Sequence, residues 1–371
     1  MPTKRTVRWV APAAVVVAIG GGLGINSALS AGAAPSLPHR SAQQLLVDAA
    51  QAKVPGMSGT VVEKANLGLP DLPAGVSGSG SSSLQALISG SHTLRIWAGD
   101  DGKFRVAQIG TLGESDVIRN GRDVWIWSSQ NNSAAHYTLP AAKKTGTKAG
   151  NKAAAKVQGP MANATPQQVA KHLLQQVDPT TAVTVDGTQS VAGRATYTLR
   201  IKPKDPSTLV DQIAISIDAK KHVPLEVRVT AKGQTKPAID IAFTHVDFTA
   251  PDARQFTFNP PPGAKVTTPS LKSMFGTPLS GQRASGADTP KTVGTGWSEV
   301  LVATGVDLNT HHLRGRGGAI TEVLRNLPHV SGTWGTGRLL TSALVDAVIT
   351  DDGRVAVGMV QPAKLYSALG R

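Results

Sequence analysis

The chain has 371 residues, a net charge of +14 and no cysteine. The missing cysteine excludes disulfides, thiolate metal sites, a cysteine nucleophile and a lipid-modified N-terminal cysteine. With 40% apolar but only 4% aromatic residues, any core is built mostly from Val, Leu, Ile and Ala, in one large or two ordinary domains.

Lys4, Arg5 and Arg8 precede an uncharged run that extends from Trp9 to Pro38, and Ala31-Gly32-Ala33 fits a small-x-small cleavage pattern. This reads as a Sec-type export signal over 1–34. The run is also long enough for an uncleaved membrane anchor. Gly20, Gly21, Gly22 and Gly24 weaken its helix interior and favour cleavage. Either way the basic residues come first, which puts the bulk of the chain outside the cytoplasm, secreted or anchored. Removing those three charges from +14 leaves +11. An exported location argues against nucleic acid as the partner of that charge. An anionic membrane surface or cell-wall polymer fits better, and plain solubility explains it equally well.

Ser41 caps a helix to about Lys53, and a strand follows near Ser58–Lys64. Asn66–Ser83 is a Gly/Pro/Ser-rich loop. Strands resume at His92–Trp97, Lys103–Ile109, Asp116–Arg119, Asp123–Trp127 and His136–Leu139. Asp100-Asp101-Gly102 and Asn120-Gly121 lie where hairpin turns need positive φ, which favours an antiparallel meander. Residues 141–159 carry Lys143, Lys144, Lys148, Lys152 and Lys156 without an apolar face. They read as a basic loop, either an electrostatic tether or a tolerated insertion.

Thr165-Pro166 starts a helix to about Val177, ended by Asp178-Pro179. A second strand block follows at 182–186, 192–201, 211–218, 223–230 and 237–246. In 223–230, Val223, Leu225, Val227 and Val229 alternate with Pro224, Glu226, Arg228 and Thr230. Period 2 gives each strand one apolar and one polar face. Residues 267–296 form a Gly/Ser/Thr/Pro-rich linker. Beyond it lie a strand-like Trp297–Asp307, a helix near Ile320–Leu327, the flanks Leu339–Thr350 and Arg354–Val360 of an Asp351-Asp352-Gly353 turn, and a helix over Ala363–Leu369.

Motifs for chemistry are scarce. There is no G-x-S-x-G elbow, P-loop, H-E-x-x-H or EF-hand loop. Gly78-Ser79-Gly80 lacks the third glycine of a dinucleotide fingerprint and reads as linker. His311-His312 would chelate poorly on a strand, and Arg314 and Arg316 would repel a cation. Asp351-Asp352 belongs to a turn, not to a carboxylate pair. No catalytic residue, metal site or cofactor is expected, and the chain reads as a non-enzyme. Trp125 and Trp127 share one face of their strand, Val124 and Ile126 the other. Both faces are apolar, so one set contacts a ligand or membrane, or the strand is covered on both sides, for instance by 165–177.

The ordered set of motifs resembles the LolA-like lipoprotein carrier family and the wider superfamily that includes the N-terminal domain of RseB/MucB periplasmic regulators. It runs from the 41–53 helix and Ser58-Gly59-Thr60-Val61-Val62 through Gly102–Val106 and Asp116–Trp125. It continues with Val191–Leu199, Ile215-Ser216-Ile217-Asp218-Ala219 and Val223-Pro224-Leu225-Glu226-Val227, and closes on Phe256-Thr257-Phe258-Asn259-Pro260-Pro261-Pro262-Gly263-Ala264. The match spans roughly Ser41 to Val266. It implies an α+β fold: a half-open, strongly curved antiparallel β-barrel over 35–266, with helices plugging the concave face and a small strand/helix extension at 297–371.

In that family the space between sheet and helices holds lipoprotein acyl chains. The implied function is therefore an exported envelope protein that binds lipid or lipidated protein. The candidate lining residues are Leu94, Ile96, Trp125, Trp127, Tyr197, Leu199, Leu225 and Val227. The longer basic insertions, the 297–371 extension and the N-terminal segment depart from a minimal carrier. They keep open an RseB/MucB-like regulator that binds an anti-sigma membrane protein through 297–371.

Overall fold

The computed structural model describes residues 36–69, 89–100, 102–111, 113–140, 179–269, 290–305 and 324–370. The export segment, the 141–159 loop, the 165–177 helix and His311-His312 lie outside them. Among the described residues no helix is long and apolar enough to cross a membrane.

Helix α1 (Ala42–Gln51) begins at a reciprocal cap. The Ser41 hydroxyl accepts from the Gln44 backbone N–H at 3.2 Å, and the Ser41 N–H donates to Gln44 Oε1 at 2.9 Å. The first meander then runs through β1 (Met57–Ala65), β2 (Gly90–Ala98), β3 (Phe104–Gly110), β4 (Gly113–Asn120), β5 (Asp123–Ser128) and β6 (Ser133–Thr138). The second comprises β7 (Thr181–Val191), β8 (Arg194–Pro203), β9 (Val210–Asp218), β10 (Pro224–Ala231) and β11 (Ile239–Asp247). A three-residue strand, β12 (Lys265–Thr267), pairs in parallel with the outer side of β6.

These twelve strands form one sheet in the order β12-β6-β5-β4-β3-β2-β1-β11-β10-β9-β8-β7. It is open, with β12 and β7 as its edges. Its centre is the antiparallel pair of β1 and β11, which joins Val61 to Phe243 and Ala65 to Ile239, with a bulge between Thr60 and Val61. Gly59 is required beside that bulge: a Cβ there would sit 2.4 Å from the His245 carbonyl oxygen.

Most expected strands are present within a residue or three of their read boundaries. One differs in kind. Ala192-Gly193 is not the start of a strand but the two-residue loop between β7 and β8, with φ of 51° and 71°. A hairpin loop this tight needs both central residues left-handed, and an alanine obscured that signal.

Strands four places apart in a flat sheet lie about 19 Å from one another. Yet β7 touches β11, and Val191 of β7 shares a buried cluster with Ile241 and Phe243 of β11. The sheet therefore bends sharply here, toward the face that carries those side chains. Helix α1 lies on that same face over β7, β8 and β9. Its Leu45 is wholly buried in a cluster with Tyr197, Leu199 and Ile217, worth about 1.5–3 kcal/mol for such a side chain.

The C-terminal residues do not extend this sheet. They build a second one from β13 (Lys291–Val293), β14 (Val300–Ala303), β15 (His329–Gly332), β16 (Gly335–Leu340), β17 (Asp346–Thr350) and β18 (Val355–Gly358), in the order β13-β14-β18-β17-β16-β15. Helix α2 (Pro362–Leu369) buries Leu365, Ala368 and Leu369 against Val300, Val302, Trp334 and Val348. The Leu339–Thr350 segment, read as one strand, is interrupted between β16 and β17. There the Asp346 carboxylate accepts from the Ser342 N–H and the Ser342 hydroxyl donates to the Val345 carbonyl. Asp351-Asp352-Gly353 is the expected turn, with Gly353 at φ 84°. Arg354 pairs with Asp352, whose carboxyl that pairing holds down at about 2.

The two sheets are packed together. Thr208 bridges to Val360, the Trp297 indole N–H donates to Thr181 Oγ1 at 2.7 Å, and Leu344 is buried with Val210, Ala231 and Ala238.

Candidate functional site

Cross-strand register sorts the large sheet's side chains into two faces. Tyr197 lies opposite Ile217, Leu199 opposite Ile215, Ile215 opposite Val227, and Val227 opposite Ile241. The same face continues across the centre through Phe243 and Val61 to Leu94, then through Ile96 and Val106 to Val117, Ile126 and Ala135. It is a largely apolar face that runs over ten strands. Helix α1 covers its β7–β9 part. Farther along, Ile96, Phe104, Val117, Ile126, Val227 and Ile239 are only half-buried.

Six of the eight expected lining residues lie on this face. Leu94 and Leu225 are buried, while Ile96 and Val227 are half-buried. Tyr197 and Leu199 are there too, but α1 and the segment before it already occupy them. The Tyr197 hydroxyl donates to the Pro38 carbonyl at 2.8 Å.

Trp125 and Trp127 are on the opposite face, which the register fixes by placing their neighbours Val124 and Ile126 on the apolar one. Trp125 stacks on His136 with ring centroids 4.2 Å apart, and Phe258 packs on both tryptophans at 5.3 and 5.7 Å. The contacts show that the tryptophan face is covered, while Ile126 on the other face stays half-buried. The cover on the tryptophan face is the Phe258 segment; the 165–177 helix is outside the described residues.

Apart from Ile118, Ala107 and Trp97 beside the tryptophans, much of that opposite face is polar. Gln189, Ser216, Glu226 and Arg228 are hydrogen-bonded across β7, β9 and β10. Asp218, almost wholly buried, binds Arg194 and accepts the N–H groups of Lys220 and Lys221. Burial opposes its charge, yet these donors hold the carboxyl below its usual range. Asp116 pairs with Arg105. Burial pushes its carboxyl up to about 7; Arg105 opposes that rise and Glu114 adds to it.

Sequence reading missed four polar side chains on the apolar face. Glu63 of β1 lies opposite His92 of β2, and Gln108 of β3 lies opposite Ser115 of β4. None is more than 7% exposed. Burial lowers the His92 imidazole to about 4, so it is neutral near pH 7. The signal was available: Glu63 is in phase with Val61 and Ala65, His92 with Leu94, and Gln108 with Val106. Each interrupts an apolar alternation. Among the described residues no group of His, Asp or Glu could hold a metal ion.

Fold and site together define a large open-sheet protein with one apolar face and a small second sheet. Residues 81–268 match the family described as "Predicted periplasmic protein (DUF2092)", which is half of the chain, and the chain belongs to that family. No curated protein matches it. Solved structures similar to it include the MucA/MucB complex of Pseudomonas aeruginosa, at 15% identity over 88% of this chain and 94% of that one, with a TM-score of 0.41. An uncharacterized conserved protein from Thermus thermophilus is 12% identical over 62% of this chain and 99% of its own, with a TM-score of 0.36. A LolA superfamily protein from Nitrosomonas europaea is 10% identical over 59% and 99%, with a TM-score of 0.22.

Proposed function

We propose that this is an exported envelope protein that binds the acyl chains of lipid or lipidated protein on its apolar face, and that it is a binding protein and not an enzyme. The observation that carries this is the extent of that face against the extent of its cover. Helix α1 plugs the β7–β9 part, and half-buried Val, Ile and Phe side chains continue well beyond it. An alkyl chain laid there gains about 0.8 kcal/mol per buried methylene without any catalytic group. In this reading the bent sheet is the half-barrel of the LolA-like fold, and Leu94, Ile96, Leu225 and Val227 line it.

The test is solvent extraction and mass spectrometry of protein purified from its own host. Co-purifying lipid supports the reading. Lipid-free protein that also takes up no fatty-acyl probe overturns it, and ester or amide hydrolysis abolished by one point substitution would make it an enzyme instead.

One observation favours a second reading, a regulator that binds a membrane protein through the small sheet. Leu301, Val345 and Met359, each at least 38% exposed, all belong to that sheet or its connections. Capture of a membrane partner that is lost when 297–371 is removed would support it.

A further inference from the structure

We propose that Glu63, His92, Gln108 and Ser115 form a polar subsite within the apolar face, one that takes the ester, amide or hydroxyl head of an acyl ligand. The inference rests on the acyl-binding reading above and names the part of the ligand it leaves unassigned.

The four residues are neighbours by register. Glu63 faces His92, Gln108 faces Ser115, and Leu94, two residues after His92, is the partner of Gln108. Two residues along each of these strands the same face holds Val61, Leu94, Val106 and Val117, so the patch is polar where hydrocarbon adjoins it. Burying polar groups disfavours folding unless partners compensate for the lost water. His92 Nε2 is buried and has no hydrogen-bond partner, on a side chain only 7% exposed. A neutral imidazole, an amide and a hydroxyl can each both donate and accept hydrogen bonds. That inventory suits a carbonyl or hydroxyl group. The patch lies toward one end of β1–β4, and half-buried Ile96, Phe104 and Val117 continue from it along the same face. A head held at the patch would therefore direct its chain along hydrocarbon.

The experiment compares two probes of equal chain length, monolauroylglycerol and dodecane, by displacement of a fluorescent fatty-acyl probe from the full chain. The wild type should bind monolauroylglycerol at least tenfold more tightly. His92→Leu should erase that preference and leave dodecane binding unchanged, while His92→Gln, which keeps a hydrogen-bonding side chain, should retain most of it. If His92→Leu fails to fold, the near-isosteric Ser115→Ala is read instead, with an expected threefold loss of preference. Full preference retained in the folded variant overturns the subsite. Equal binding of both probes to the wild type overturns the subsite alone. Binding of neither overturns it together with the acyl-binding reading.

Discussion

Trp125 lies flat against His136, at an interplanar angle of 11°, on the face of the sheet opposite to Leu94 and Ile96. The stack and the Phe258 ring above it hold down the segment that leads to β12. Trp125→Ala should therefore destabilise the fold by about 1–3 kcal/mol and leave fatty-acyl probe affinity within twofold. Urea denaturation and probe titration check the two halves. A large loss of affinity in folded protein would move the ligand to the tryptophan face.

Leu199 is 1% exposed, in one cluster with Leu45 of α1. Leu199→Ala should cost about 2–5 kcal/mol by opening a cavity between helix and sheet. Ile96→Ala, on the half-buried stretch, should cost less stability but weaken probe binding several-fold. The two variants together separate the plugged part of the face from the free part.

Asp116 and His92 contribute to the pH dependence of stability with opposite signs. Burial raises the Asp116 carboxyl to about 7 from 3.8. Its contribution is fully present below about pH 4 and is lost as pH rises through 7. Burial lowers His92 from 6.5 to about 4. Its contribution is fully present above about pH 6.5 and is lost as pH falls through 4. Between about pH 4 and 6.5 the two slopes oppose each other. Asp116→Asn should leave a protein that weakens with acid across that window, and His92→Gln one that strengthens. Urea midpoints at several pH values decide, and slopes of the same sign in both variants would refute the assignment.

Ala192 adopts φ 51° at the first position of its hairpin loop, a conformation that disfavours any Cβ. Ala192→Gly should stabilise the protein by roughly 0.5–1 kcal/mol, the relieved strain exceeding the added chain entropy. Thermal melting measures it.

Leu344, 6% exposed, joins the small sheet to Val210, Ala231 and Ala238. Leu344→Asp should place a charge in that junction and separate one unfolding transition into two. Calorimetry would show whether the sheets melt together or apart.

Alternation and turn residues made most strands legible, because period 2 and Asn120-Gly121 or Asp352-Gly353 act locally. The partnership of β1 with β11 was not legible. Residue 61 meets residue 243, and alternation says which way a side chain points but not which strand lies beside it. The same limit hid the face of Trp125: Val124 and Ile126 are as apolar as the two tryptophans, so only the register could separate them. Lys265–Thr267 is short and exposed, with nothing in its pattern to announce a parallel partner. The buried polar patch failed for another reason. Glu63 and His92 look like ordinary solvent-facing residues until the phase of their strands is compared with that of their neighbours.

The pairing of β1 with β11 also sets how the molecule can fail. The first and last long strands of the large sheet meet in its middle, so the chain closes on itself like a clasp. A product ending before Ile239 loses the clasp, and with it β12 at one margin. What remains is two separate meanders, each with a raw inner border of unpaired backbone. Early termination should therefore yield aggregates and not a smaller working protein.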